Sequence, residues 1–287
     1  MDTCMERGTT FIWKNARLLE RAVFEYRLLH GSPARILRIL QTYQNDDGGF
    51  GHALEPDLRT PESQALFTEF ALRTLYECKL RESAITSRVC DFLAQHANLA
   101  TGIPMITPSS ARYPRASHWN NPANRQPSLD VMVGLVGLCN WQGVSHPWLA
   151  SATETCLEYI TTSAYGDAHV ILNALCLIES LPQDEFVTRL YTKLTRELTA
   201  ARFFCWEVPI KTYGLTPLDY ALTPDSYCRP IFTDAQISGH LEELASQQQE
   251  DGGWPILWEP PSEMALQEWR ACKTVKALAV LRAYGRI

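Results

Sequence analysis

Apolar residues recur along this chain at spacings of three and four, the period of an α-helix that buries one face. In residues 11–29, for example, Ile12, Ala16, Leu19 and Val23 fall on one side of a helix. No segment shows the alternation of polar and apolar residues that marks a half-buried strand. The same pattern predicts further helices over 33–44, 63–78, 83–97, 129–141, 148–162, 167–181, 185–204, 234–248 and 265–284. The chain is therefore expected to be all-α.

Several of these segments are preceded by residues that cap helix N-termini. Ser63, Ser128 and Asp167 stand at such positions, as does Thr233 or Asp234. Their side-chain oxygens can accept bonds from the first backbone N–H groups of a helix, which have no partner within it. These residues therefore predict where four of the helices begin.

One turn sequence occurs twice. Residues 44–50 read QNDDGGF and residues 248–254 read QQEDGGW, each after a helix and before a loop that contains proline. The glycines supply the positive φ angles that end a helix, and the Gln and Asp side chains can bond to the backbone groups left over. A weaker third copy lies at 97–104. We interpret the turn as a structural element that braces the outside of the fold.

The spacing of the turns predicts the architecture. The two copies lie 248 − 44 = 204 residues apart, close to four units of about 50 residues, the size of a helical hairpin repeat. Both ends of the chain carry a full repeat element in place of a polar cap, which favours a closed ring over an open stack. We expect residues 1–287 to form a single α/α toroid of about five to six helical hairpins. In such a ring alternate helices are parallel and line the inside.

Composition and charge narrow the functional classes. The 287 residues are 46% hydrophobic and 20% charged, with a net charge of -6 and no basic block, which argues against nucleic acid as a partner. The nine cysteines are scattered and form no Cys-x-x-Cys pair, as is typical of a reducing compartment. No apolar run approaches the roughly 20 residues that span a bilayer, and residues 1–10 lack a signal core. We expect a cytoplasmic protein, with peripheral membrane contact left open.

The two turns resemble the Gln-Trp repeats of squalene–hopene cyclases and the related turns of protein prenyltransferase β-subunits. With the length of one toroid, the chain is more similar to single-domain class II terpene cyclases and to a group of bacterial proteins of unclear role. Residues 50–58 (FGHALEPDL) and 223–229 (TPDSYCR) look like that bacterial group. The resemblance covers most of the chain as architecture, and the turns are its specific part.

The resemblance also implies an activity. Class II cyclases carry an Asp-x-Asp-Asp motif at the start of an inner helix, and its central Asp protonates the substrate. Residues 127–131 (PSLDV) are similar to it: Asp130 matches the central Asp, while Ser128 and Val131 replace the outer two. The implied reaction is the cyclisation of a linear polyprenyl substrate without a metal or other cofactor. Zinc ligands of the kind that prenyltransferases and lanthipeptide cyclases use have no counterpart in this sequence.

The chemistry of such a reaction suggests further site residues. Burial keeps an Asp protonated by raising its pKa, and aromatic faces stabilise the carbocation that forms. His169, in the first turn of the next predicted inner helix, could hydrogen-bond the acid and return its proton. The candidate substrate-binding residues lie in loops or at helix ends: Trp119, Trp206, Tyr213, Tyr227, Trp254, Trp258, Trp269, Asp57 and Asp225.

Each assignment has a simpler alternative. Asp130 could be a first-turn helix residue, His169 a partly exposed histidine at a helix end, and Asp225 a turn former. The protein as a whole could be a non-catalytic toroid that binds a lipid or a protein. It could also be a carbohydrate-active α/α barrel, which requires two acids about 5–10 Å apart across a polar cleft. The sequence predicts neither the oligomeric state nor the length and head group of a substrate.

Overall fold

The structure, a computed structural model, describes residues 3–287. Within that range it is all-α, and its only β-type pairings are isolated bridges. The α-helices are α1 (Cys4–Asn15), α2 (Leu18–Leu29), α3 (Pro33–Tyr43), α4 (Ala65–Glu77), α5 (Ser83–His96), α6 (Leu129–Gln142), α7 (Pro147–Thr162), α8 (Ala168–Glu179), α9 (Glu185–Leu198), α10 (Pro217–Tyr220), α11 (Asp234–Ser246) and α12 (Glu263–Ala283). The all-α prediction is confirmed.

One predicted helix is in fact two. Residues 11–29 were expected to be continuous, but α1 ends at Asn15 and α2 begins at Leu18, because Ala16 and Arg17 have extended backbone angles. The Arg17 guanidinium bonds to Glu20 in the first turn of α2 and so holds this corner. The apolar period continues across the break, so the pattern did not reveal it.

Helix starts agree with the capping residues in most cases. Ser128, Asp167 and Thr233 are the N-caps of α6, α8 and α11, as predicted. The cap of α4 is Gln64 and not Ser63, whose hydroxyl instead donates to Asp47 in the preceding turn. The predicted helix 185–204 ends early, at Leu198.

The contacts divide the chain into two compact units. One comprises residues 3–39 with Phe203–Ile287, and the other is Leu40–Arg202. The single toroid over 1–287 stays a prediction. Each unit is described below by itself.

In the unit Leu40–Arg202, helices α4, α6 and α8 are parallel neighbours. A Cβ on Gly134 of α6 would come within 2.5 Å of the Asn173 side chain in α8, and one on Gly137 within 2.8 Å of the Leu177 backbone nitrogen. The contacts advance along both helices in the same direction, so the helices run parallel. The two glycines allow their backbones to approach closely.

The other unit contains a second parallel pair, α2 and α12. Near their N-termini Arg17 lies 4.0 Å from Glu268, and near their C-termini Arg282 donates to the Leu28 carbonyl. Helix α1 also packs on α12, where a Cβ on Gly8 would lie 2.8 Å from Leu278. Parallel alternate helices were expected, and these two groups show them.

The repeated turns have the same internal geometry. Asn45 N–H donates to the Gly49 carbonyl at 2.8 Å, and Gln249 N–H donates to the Gly253 carbonyl at 2.9 Å. The first glycine of each pair, Gly48 and Gly252, has φ near 90°. In the third copy Asn98 N–H donates to the Gly102 carbonyl at 3.0 Å, with φ of 87° at Gly102. In the weak third copy the positive-φ glycine is thus the accepting residue itself, one place later than in the two full turns.

The turn side chains brace a neighbouring helix. Gln44 donates to the carbonyl of Ile85 in α5, and Gln248 donates to the carbonyl of Cys4 in α1. The ring nitrogen of Trp254 donates to the Leu244 carbonyl in α11, the helix that the turn ends. These bonds confirm the structural interpretation of the turn.

Candidate functional site

Asp130 lies in the first turn of α6, but it does not cap the helix. The cap is Ser128, whose hydroxyl accepts the Asp130 backbone N–H at 3.2 Å. The Asp130 carboxylate accepts a hydrogen bond from the Tyr159 hydroxyl, near the end of α7, at 2.9 Å. The side chain is half-buried. Its carboxyl group is therefore turned to another helix and not used in helix capping.

The surroundings of Asp130 favour its protonated form. Burial raises the pKa of this carboxyl, the bond from Tyr159 lowers it by a smaller amount, and the charge of Asp167 raises it again. The pKa of Tyr159 is raised to about 12, by burial and by its bond to Asp130, so the phenol stays a donor at neutral pH. Asp130 is thus a weaker acid than an exposed Asp.

His169 pairs with the N-cap of its own helix. Asp167 Oδ1 accepts the His169 backbone N–H at 2.9 Å and lies 3.1 Å from His169 Nδ1. Burial raises the pKa of Asp167, but the two bonds from His169 and the charges of His169 and Arg202 outweigh burial and lower it. The pKa values of the two carboxyls therefore shift in opposite directions: the shift favours the protonated acid at Asp130 and the carboxylate at Asp167.

A polar network joins α4 and α8 across the α6 glycines. Arg73 forms an ion pair with Glu69 at 3.1 Å and also donates to Asn173, which is buried. Toward the C-terminal ends, the Tyr76 hydroxyl donates to Glu179 at 2.6 Å. The faces that these parallel helices share are therefore not uniformly apolar.

Asp130 and this network occupy one side of α6. Asp130, Gly134, Gly137 and Trp141 are spaced by four, three and four residues and so share a helical face. The ring of Trp141 packs edge-on against Tyr76, with centroids 5.1 Å apart. Asp130 thus lies at the N-terminal end of one face of α6. Toward the C-terminal end, the same face contacts the network residues Asn173, at Gly134, and Tyr76, at Trp141.

Glu179 is the second carboxyl with a raised pKa here. Burial raises it, while the bond from Tyr76 and the charge of Lys79 lower it by less. Glu69, by contrast, is held in an ion pair with Arg73. This unit thus holds two half-buried acids of raised pKa, Asp130 and Glu179.

Three of the predicted aromatic residues meet in the other unit. Tyr213, Trp254 and Trp258 line a cavity of about 330 Å³ between α11, α12 and their loops. Trp269 packs edge-on against Trp258 at 5.2 Å, and Tyr213 does so at 5.5 Å. Asp130 is not among the residues that line this cavity.

The remaining candidates are dispersed. Trp206 belongs to an aromatic cluster with Phe204 and Phe232. Asp225 is exposed in a turn closed by bonds between Thr223 and Ser226. These positions favour the turn-former interpretation of Asp225. Tyr227 is half-buried in the same loop.

Asp57 and Trp119 lie in one loop cluster of the unit Leu40–Arg202. Asp57 is buried, its backbone N–H donates to Glu55, and its Oδ2 is 3.6 Å from His118 Nε2. The His118 ring packs on Trp119 at 4.8 Å. Burial lowers the pKa of His118. This cluster joins two predicted residues but does not involve Asp130.

Sequence reasoning missed the partners of the acids. Tyr159 is one of several polar residues on α7, and nothing in its spacing points to α6. Arg73 and Asn173 left a weak signal, since each is a polar residue in a largely apolar helix. The lysines of the cavity, Lys273 and Lys276, read as ordinary residues of an amphipathic helix.

No group of three or more His, Cys, Asp and Glu side chains within residues 3–287 is arranged to hold a metal ion. No helix in the same range is both long and apolar enough to cross a bilayer.

Comparisons with known proteins identify a similar fold but no family. No family model matches the chain, and no curated protein matches it. Among solved structures, a protein from Actinoplanes superposes with a TM-score of 0.55 at 16% identity, over 98% of each chain. At this identity the similarity concerns the fold alone.

Proposed function

We propose that this chain is a metal-independent, proton-initiated isoprenoid cyclase with Asp130 as its general acid. The observation that carries the proposal is a half-buried carboxyl at the N-terminal end of α6: Asp130 accepts the Tyr159 hydroxyl at 2.9 Å, and burial raises its pKa while that of Asp167 is lowered. Acid–base pairs in active sites show this pattern. In the cyclase motif the neighbouring acids belong to one helix. Here the second acid, Asp167, is the N-cap of α8, whereas Asp130 lies in α6. A cytoplasmic setting and an apolar polyprenyl substrate belong to the same proposal.

Each group has a defined role in the proposed reaction. Asp130 transfers its proton to a substrate alkene carbon, and the new C–H bond leaves a carbocation that the chain's own double bonds attack. The carboxylate left behind is stabilised by the Tyr159 hydroxyl and by the N-terminal end of α6, the latter by roughly 0.3–2 kcal/mol. Loss of a proton from the final cation regenerates the acid, with Asp167 and His169 beside it to pass the proton.

The test is turnover of linear polyprenyl compounds. Farnesol, geranylgeraniol and squalene are incubated with the protein without magnesium, and cyclic products are sought by mass spectrometry. Asp130→Asn keeps the shape of the side chain but holds no transferable proton. We expect it to lower product formation by about 10²–10⁴-fold. Asp91→Asn, an exposed change on α5, serves as the control.

Full activity in Asp130→Asn, at unchanged thermal stability, would refute the proposal. So would the absence of any cyclic product from the wild type across the three substrates. In the latter case a hydrophobic compound recovered unchanged from the protein would favour the non-catalytic lipid-binding alternative.

A second candidate function, glycan cleavage, is favoured by the polar network of α4 and α8. Glu179 has a raised pKa, as a general acid requires, and Glu69 is ion-paired with Arg73. Tyr76 and Trp141 beside Glu179 offer the aromatic faces on which sugars stack.

Two substitutions, Asp130→Asn and Glu179→Gln, separate the candidates. If the chain cleaves glycans, Glu179→Gln abolishes hydrolysis of nitrophenyl glycosides while Asp130→Asn leaves it within about twofold of wild type. If it is a cyclase, the order reverses with polyprenyl substrates.

A further inference from the structure

The cavity between α11 and α12 has features of a built ligand site. Its volume of about 330 Å³ falls within the range of small-molecule sites, roughly 300–1,000 Å³. Its lining comes from α11, α12 and the loops at 210–216 and 254–258. All of these belong to one compact unit.

The aromatic part of the wall is held rigidly. Trp254 is 2% exposed and its ring nitrogen donates to the Leu244 carbonyl at 2.8 Å. Trp258 is packed edge-on between Tyr213 and Trp269. Rings that are fixed before binding lose little conformational entropy when a ligand stacks on them. This wall suits an apolar body.

Cationic groups lie beside the aromatic wall. Lys276 forms an ion pair with Asp219 at 3.0 Å, and the Lys273 ammonium is 5.6 Å from the Trp258 ring centroid. Asp219 is already occupied, since its other oxygen accepts both the backbone N–H and the hydroxyl of Thr216. It therefore orients Lys276 and does not act as a base.

The other polar lining groups are Glu243 and His240. Glu243 accepts bonds from the Ile210 backbone and from Gln247. His240 is 2% exposed, and its Nε2 lies 3.0 Å from the Trp206 carbonyl, so Nε2 carries the proton. Its Nδ1 is buried without a partner in the structure. A buried acceptor without a donor is unfavourable, and a water beside it would supply one.

We infer that this cavity binds an apolar small molecule that carries one acidic group. The apolar body packs against the wall formed by Trp258, Tyr213 and Leu218, and the carboxylate or phosphate meets the ammonium groups of Lys273 and Lys276. The inference is independent of the proposed reaction at Asp130, because it concerns equilibrium binding and residues of another unit.

The test compares probes that differ only in the head group. Decanoate, 1-decanol and decyltrimethylammonium are titrated into the full chain by calorimetry. We expect decanoate to bind at least about tenfold more tightly than the other two. Decyl phosphate then shows which acidic group the site prefers. Comparable affinity for all three head groups, or no binding of decanoate, would overturn the inference.

A substitution ties the preference to the site. Lys273→Met removes the charge but keeps an unbranched side chain, so decanoate affinity should fall about tenfold while decanol affinity stays within about twofold. Lys14→Met, an exposed change on α1, is the matched control and should alter neither.

Nuclear magnetic resonance tests the location without any substitution. Decanoate should shift the backbone amide signals of residues 210–216 and 254–258. Shifts confined to other segments would exclude this cavity as the site, even if decanoate binds.

Discussion

Two aspartates a helix apart show how side-chain partners decide chemistry at the scale of single residues. Asp130 and Asp167 each stand at the N-terminal end of a helix, and both are half-buried. Asp167 receives two bonds from His169, whereas Asp130 receives one from Tyr159. At Asp130 the effect of burial, which raises the pKa, is larger than that of the hydrogen bond. At Asp167 the hydrogen bonds and nearby charges outweigh burial, so the pKa is lowered.

This difference leads to a pH prediction. An acid catalyst must start protonated, so cyclisation should be fastest below the raised pKa of Asp130 and should decline as the pH rises through it. Tyr159→Phe deletes the bond that lowers this pKa and should move the declining limb to higher pH. The maximal rate should fall by less than about tenfold, since the proton donor remains. The measurement is the pH profile of product formation for both proteins.

The pH profile distinguishes a positioning role for Tyr159 from a merely structural one. A structural defect would lower the rate equally at every pH and lower the melting temperature. An unchanged limb with an unchanged melting temperature would mean that the phenol does not tune the acid.

At the scale of elements, the repeated turns depend on a backbone that only glycine tolerates. A Cβ on Gly252, where φ is 91°, would lie 2.2 Å from the Arg7 carbonyl oxygen. At Gly48 the corresponding distance, to the Arg88 carbonyl oxygen, is 2.0 Å. The glycine is therefore required for two reasons, its dihedral angle and the close approach of a neighbouring helix, α5 at Gly48 and α1 at Gly252.

Gly252→Ala should accordingly destabilise the protein by about 2–4 kcal/mol, through strain at positive φ and displacement of α1. Chemical denaturation measures the change. Gly166→Ala is the matched control, because no atom lies within 4 Å of its Cβ position, and it should stay within about 0.5 kcal/mol of wild type. Equal stability of the two variants would show that the second turn does not hold the fold.

At the scale of the whole molecule, the second turn packs on α1 as the first turn packs on α5. Gln248 bonds to Cys4 and to Arg7, as Gln44 bonds to Ile85 and to Arg88. Helix α1 thus contacts the second turn in the way that α5 contacts the first turn. The two units therefore use the same turn-to-helix contact, each within itself, and the closed ring stays a prediction from the repeat spacing.

Closure can be measured in solution. A compact globule of 287 residues has a radius of gyration of about 19 Å, whereas an open stack of hairpins would be more extended. If the ring closes, we expect small-angle scattering to give about 19 Å for a single chain. A value well above 22 Å or so would contradict closure.

Features that depend on residues close together in the sequence could be predicted, whereas contacts between distant residues could not. The helices, the caps Ser128, Asp167 and Thr233 and the turn glycines follow from neighbours within about four residues, so the sequence alone indicated them. The break at Ala16 was missed because the apolar period runs through it.

The amino-acid pattern is enough to establish that the chain is all-α and where its repeated turns lie, because local periodicity and backbone conformation carry that information. Only the tertiary structure decided which partners the functional groups have. Tyr159 is 29 residues from Asp130, and Arg73 is 100 residues from Asn173. Such pairs depend on helix packing, here on Gly134 and Gly137 bringing α6 close to α8. The environment of Asp130, and with it the chemistry that we propose, is therefore a property of the fold.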